Sequence, residues 1–291
     1  MCFQNLGLSE KFIGNTQAKA ALAGFLTSGR VPHALLLEGA AGTGKKTFAL
    51  YAASLFLNQS YQPGTYEKIL AGNHPDFIWE RGDGSARTFH IEAIRKIRDS
   101  AYILPNQSDR KVYLLSDCHS MSIPAQNALL KLLEEPPSHC VFLLTVDSRK
   151  SLLETIFSRC ETISLFPPSI SECTATLESN GYSKVDASYA SGLYEGNIGQ
   201  CLELLQDEQR KKSSDLAFDL MERIASRRES EILIALSPLE TDRKLFLSCL
   251  QDMIELFGYA LRERYRHSAD GVDPVSYTHL DVYKRQIDDR S

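Results

Sequence analysis

The sequence predicts an α/β module, a parallel sheet flanked by helices, followed by a small helical lid and then an all-α domain. Three observations predict this fold class. The runs "HALLLEG" (His33–Gly39), "KVYLLSD" (Lys111–Asp117) and "CVFLLTVD" (Cys140–Asp147) are continuous and apolar, the signature of strands buried on both faces. Helix-like segments alternate with them, which places helices on both sides of the sheet. From about Pro167 strand-like runs vanish, and only amphipathic helical patterns separated by short polar breaks remain.

In chain order, a polar helix-like start leads into "HALLLEG", a glycine-rich loop and the helix-like "KKTFALYAASLFL" (Lys45–Leu57). Between the second and third strands, "IPAQNALLKLLEEPP" has Pro124 in its first turn, leucines at helical spacing and a Pro136-Pro137 stop. "SLLETIF" reads as helix and "ETISLF" as strand. "SISECTATLESNGY" and "NIGQCLELLQ" predict a small helical unit, whereas "SSDLAFDLMERIASR" and "ETDRKLFLSCLQDMIELFGYALRERYR" predict longer bundle helices. In the last of these, Leu245, Phe246, Cys249, Leu250, Met253, Ile254, Phe257 and Leu261 fall on one face, read as a core stripe or a subunit-packing surface. The expected divisions are 1–166, 167–206, 207–271 and 272–291. The last contains "VSYTHLDVYKRQ", which resembles a translated adapter sequence, so the native C-terminus is expected to be missing and this tail carries no functional weight.

Composition narrows the function classes. The 291 residues are 43% hydrophobic and 24% charged, which is ordinary globular composition. Lys plus Arg number 32 against 37 Asp plus Glu, a net charge of −5, so any nucleic-acid contact is expected to be local or shared with partners. Seven scattered cysteines show no C-x-x-C spacing, predicting neither zinc nor a secreted disulfide framework and favouring a cytoplasmic setting. The N-terminus lacks a signal pattern, and no run approaches the ~18 apolar residues of a membrane span, so no membrane association is expected.

The loop "GAAGTGKKT" carries the chemistry. Gly39, Gly42, Gly44 and Lys45 suit a phosphate-binding loop, G-x-x-x-x-G-K-[ST], whose backbone N–H groups cradle phosphates while the lysine reaches the β/γ oxygens. The next position should supply a hydroxyl to Mg²⁺, but it holds Lys46, and a hydroxyl arrives only at Thr47. One helical position rotates a side chain by about 100°, so Thr47 is expected to point elsewhere and the metal site to be weak or absent. "KVYLLSD" ends in Asp117, the expected metal-side carboxylate, followed by Cys118 and His119 where a hydrolysing site needs a carboxylate to activate water. A neutral thiol is a poor substitute, and His119 reads as structural or exposed. Hydrolysis is therefore not expected. Weak ATP or ADP binding stays open, and no cofactor is required.

A resemblance covers roughly residues 5 to 205. "VPHALLLEGAAGTGKKT", "HPDFIWE", "FHIEAIRKIRDSAYILPNQSDRKVYLL", "NALLKLLEEPP" and "ETIFSRC" occur in the order found in bacterial DNA polymerase III clamp-loader subunits, and the chain resembles their delta-prime type. The resemblance implies an AAA+ module with a helical lid, then a collar domain through which subunits assemble into an open ring with gamma/tau and delta. It implies as partners the sliding clamp and primed DNA. It also implies that Arg159 of the S-R-C motif, Ser158-Arg159-Cys160, reaches a neighbour's ATP as an arginine finger, a planar cation that stabilises charge on the transferring phosphoryl group. Relatives with a four-cysteine zinc module carry it where "NQSYQPGTYEKILAGNHPD" has no cysteine, so zinc is not expected. Gly199 stands where active relatives place a nucleotide-sensing arginine. With Lys46 and Cys118, it favours the delta-prime type over an active gamma/tau-like ATPase, the alternative reading. A third reading is an interaction protein of the same shape outside replication.

Overall fold

The computed structural model describes residues 12–58, 62–81, 89–226, 229–240 and 242–269. The suspect tail at 272–291 lies outside them. The chain divides into two compact units, Met1–Pro167 and Pro168–Ser291.

The first unit is built on five parallel strands: β1 Ala34–Glu38, β2 Phe77–Arg81, β3 Lys111–Ser116, β4 Cys140–Val146 and β5 Glu161–Ser164, in the order β2-β3-β4-β1-β5. The three apolar runs form its centre, with β1 between β4 and β5 and Leu36 opposite Leu144. Among the described residues six α-helices accompany the sheet: α1 Thr16–Ser28 before β1, then α2 Lys45–Phe56, α3 Thr65–Leu70, α4 Ile91–Ala101, α5 Ile123–Glu134 and α6 Glu154–Phe157 between the strands.

Side chains alternate across the sheet and feed two cores. Leu35, Leu37, Val112, Leu114, Val141 and Leu143 pack with Leu22, Phe48, Ala52 and Phe56 on one side. Ala34, Leu36, Tyr113, Leu115, Phe142 and Leu144 pack with Ile94, Ile97, Leu129, Leu133 and Ile156 on the other. This double burial explains why the central strands are apolar without alternation. At β5, the Asn15 side chain donates to the Phe166 carbonyl at 2.7 Å and accepts from its N–H at 2.8 Å, joining the entry to α1 to the end of the unit.

A buried carboxylate braces the loop after α4. Asp76 accepts from the backbone N–H groups of Asn106, Gln107 and Ser108 at 2.6, 2.8 and 2.9 Å. Burial alone would raise its pKa, but these bonds outweigh it and hold the carboxyl below its ordinary value.

Among its described residues the second unit contains helices and no strand: α7 Ile170–Ser179, α8 Lys184–Leu193, α9 Ile198–Gln206, α10 Glu208–Ala225, α11 Glu229–Leu236 and α12 Arg243–Ala269. Ser169 and Glu172 form a capping box at α7, and Ser183, Asn197 and Asp207 cap the next three helices. Helices on both sides of residue 207 share one core, with Cys173, Leu177 and Leu193 in the same cluster as Ala217, Cys249 and Leu256. Within it, Asp252 is met by Arg210 Nη2 at 2.7 Å and Ser213 Oγ at 2.6 Å.

The single apolar face expected on α12 is split. Cys249 is buried and Leu245 and Met253 partly so, whereas Phe246, Leu250, Ile254, Phe257 and Leu261 are exposed. The core-facing stripe instead uses Cys249, Asp252 and Leu256, because the helix turns a polar anchor inward to meet Arg210.

Candidate functional site

The loop between β1 and α2 leaves the carboxyl edge of the sheet, where open parallel sheets hold their ligands. Gly42 and Gly44 both have φ 84°, a left-handed backbone that glycine adopts freely. Gly44 caps α2, and a β-carbon there would meet the Phe12 ring at 2.8 Å. Gly39 is required sterically, since a β-carbon would overlap the backbone oxygen of Leu165.

Both lysines of the loop are already paired. Lys45 Nζ donates to the carbonyls of Gly39 and Ala40 at 2.6 and 2.8 Å and to Asp147 Oδ1 at 2.7 Å, with its side chain only 7% exposed. Lys46 Nζ lies 3.0 Å from Asp117 Oδ2. Asp117, left-handed at φ 62°, is fixed by its N–H donating to Thr145 Oγ1 at 2.9 Å. Asp147 also faces His119, with Oδ2 3.6 Å from Nδ1. Parallel strands bring these carboxylates to the loop, because Asp117 and Asp147 directly follow β3 and β4 at the same edge.

The residues do not fit the magnesium ion that such a loop implies. The ligand position holds an ammonium group, this group rests on the carboxylate that would face the metal, and Thr47 is exposed one position further along α2. Among the described residues no group of three His, Cys, Asp or Glu side chains is placed to hold a metal. Cys118 opens a short 3-10 turn, Cys118–Ser120, and is fully buried, its Sγ donating to the Leu115 carbonyl at 3.3 Å. Burial pushes its thiol far above the ordinary range, so it supplies no thiolate base.

The S-R-C motif stands apart from this loop, at the turn between α6 and β5. Ser158 is exposed, and burial pushes the Cys160 thiol up to about 12. Arg159 is 34% exposed; its Nη1 donates to Thr155 O at 2.9 Å and Ser158 Oγ at 3.2 Å, and its Nη2 lies 2.8 Å from Glu134 Oε1. Glu134 is the last residue of α5, before the Pro136-Pro137 stop. The motifs "NALLKLLEEPP" and "SRC" are therefore physical neighbours.

A groove of about 350 Å³ opens between α4 and α5, with Arg95, Arg98, Asn127 and Lys131 around Ile91 and Ile94.

A family model described as "DNA polymerase III, delta subunit" matches residues 14–169, more than half of the chain. The chain belongs to this DNA polymerase III family. Relatives include DNA polymerase III subunit gamma of Buchnera aphidicola subsp. Schizaphis graminum, 38% identical over 158 residues, covering 52% of this chain and 43% of the relative. Subunit delta' of Bacillus subtilis is 35% identical over 145 residues, covering 47% of this chain and 43% of the relative. The matched region thus spans less than half the length of these two curated relatives. Among solved structures, a gamma subunit-related protein of Thermotoga maritima aligns over 84% of each chain with a TM-score of 0.49 and 18% identity.

The sequence singled out the loop, Asp117 and Arg159 as candidates but not the side chains they pair with. Asp147 carried a signal, an acid closing an apolar strand run. Glu134 carried only its place before two prolines, and the basic groove carried no distinguishing pattern. Among the described residues no helix is long and apolar enough to cross a membrane.

Proposed function

We propose that the chain is a non-hydrolysing, delta-prime-type clamp-loader subunit of the bacterial cytoplasm. It assembles with gamma/tau and delta subunits, helps them open a sliding clamp and place it on primed DNA, and supplies Arg159 to a neighbour's ATP. The observation that carries this reading is the Lys46–Asp117 ion pair, which puts a fixed cation where a hydrolysing site needs an exchangeable one. Buried Cys118 in place of a carboxylate supports the same conclusion.

The basic groove supports a DNA contact, since Arg95, Arg98 and Lys131 offer phosphates local positive charge on a chain of net charge −5. The exposed Phe246, Leu250, Ile254 and Phe257 on α12 support a collar role for 207–271, with 167–206 as the lid. Gly199, in the first turn of α9, brings no cation to a nucleotide.

The test is ATP turnover by gamma/tau and delta reconstituted with this chain or its Arg159→Ala form, with clamp, primed DNA and verified assembly. The substitution is expected to abolish most of the turnover that depends on this chain, as fingers are worth about 10³–10⁵ at a single site. Unchanged turnover in a fully assembled complex would remove the finger role. The second reading, an active gamma/tau-like ATPase, is favoured by the intact Lys45 and the gamma relative at 38% identity; turnover by the isolated chain would establish it.

A further inference from the structure

We infer that Glu134 is a positioning residue for Arg159, holding its guanidinium in the pose from which it serves a neighbouring subunit's nucleotide; the inference rests on the finger reading above. The carboxylate at the end of α5 meets Arg159 Nη2 at 2.8 Å, while Nη1 is held by Thr155 O and Ser158 Oγ. Two acceptors on Nη1 and a carboxylate ion-paired with Nη2 hold the cation from two sides. Among the described contacts the Nε–H has no acceptor, so the fork keeps donor capacity for an incoming anion.

The platform behind this pose is rigid at both ends of α5. In the first turn, the Gln126 amide, 2% exposed, donates to Met121 O at 3.1 Å and Ser151 O at 3.3 Å and accepts from Leu153 N–H at 2.8 Å. These bonds moor the segment that leads into α6. Between them, Leu129, Leu132 and Leu133 share a core with Leu152 and Ile156. At the last turn Glu134 reaches Arg159 itself, and Pro136-Pro137 end the helix there. One helix therefore sets both the base and the tip of the arginine-bearing turn.

As a stabilising interaction the pair is weak, because Glu134 is 48% and Arg159 34% exposed and such pairs are screened by solvent. Its value is geometric, since a catalytic group misplaced by about 1 Å costs on the order of 100-fold in rate.

The test uses the reconstituted complex with Glu134→Ala, Glu134→Gln, Arg159→Ala and the double variant Glu134→Ala/Arg159→Ala. Glu134→Ala is expected to lower kcat for ATP about tenfold with KM unchanged, and with unchanged assembly and unfolding midpoint. Glu134→Gln, which keeps an acceptor for Nη2, should recover part of that loss. The double variant should be no slower than Arg159→Ala alone. Turnover unchanged or raised in Glu134→Ala, while Arg159→Ala still abolishes it, would overturn the positioning role and leave the finger reading intact. Unchanged turnover in Arg159→Ala would overturn both.

Discussion

Lys46 Nζ and Asp117 Oδ2 stand 3.0 Å apart, an ion pair that joins the first turn of α2 to the end of β3 across the phosphate loop. With Lys45 paired to Asp147 at 2.7 Å, each loop cation has its own carboxylate. The loop keeps the backbone shape of a nucleotide site while its charges are satisfied internally.

Lys46→Ser breaks that arrangement by freeing Asp117 and supplying a hydroxyl at the metal position. The variant is expected to bind ATP at least tenfold more tightly with magnesium than in EDTA, about 1.4 kcal/mol, whereas the parent shows no magnesium enhancement. Calorimetric titration under the two conditions checks this. On the proposed reading the variant gains no hydrolysis, because Cys118 remains a buried thiol.

Gly39→Ala and Gly44→Ala separate two kinds of steric cost. At Gly39 the obstacle is the backbone of Leu165 after β5, which cannot yield without moving the sheet edge. At Gly44 the obstacle is the Phe12 ring, together with a left-handed φ of 84° that costs about 1 kcal/mol or more for alanine. Denaturant unfolding should show Gly39→Ala to be the more damaging, and Phe12→Ala should partly relieve Gly44→Ala but leave Gly39→Ala unchanged.

Much of the module was legible before the structure, and for a definite reason. β1, β3 and β4 are buried on both faces, so their apolar runs admit no polar alternation. β2 escaped because it is an edge strand, "FIWER", only partly buried and ending in charge. α8 escaped because "KVDASYASGL" buries alanines and serines, which give little periodic contrast. At the site, the unsuitability of Lys46 could be read from one position. Its pairing with Asp117 could not, since these residues lie 71 positions apart (117 − 46) and meet only through strand order. The same holds for Arg159 and Glu134, whose contact depends on how α5 and α6 pack.

Asp76→Ala leaves three backbone N–H groups without their acceptor and is expected to cost about 3 kcal/mol at neutral pH. The folded pKa of Asp76 is depressed, so its contribution is complete above the unfolded value of about 3.9 and is lost as pH falls through the lower folded value. Unfolding curves for parent and variant should therefore converge in strong acid.

Arg210→Ala leaves Asp252 buried without its cation, a change worth about 3 kcal/mol. Burial already raises the folded pKa of Asp252, against the opposing effects of Ser213, Arg210 and Tyr194. Removing Arg210 raises it further, so the variant loses stability as pH climbs from about 4 through that raised value. Denaturation midpoints should show the variant closer to its parent at pH 5 than at pH 7.

The paired hydrogen bonds between Asn15 and Phe166 bear on the order in which the first unit folds. They join residues 151 positions apart, so forming them early would close a long loop before the sheet exists to repay that entropy. A contact this non-local is expected to form on the native side of the folding barrier. It therefore acts on the lifetime of the folded unit more than on the speed of reaching it, slowing escape from the native state as a late-made contact does.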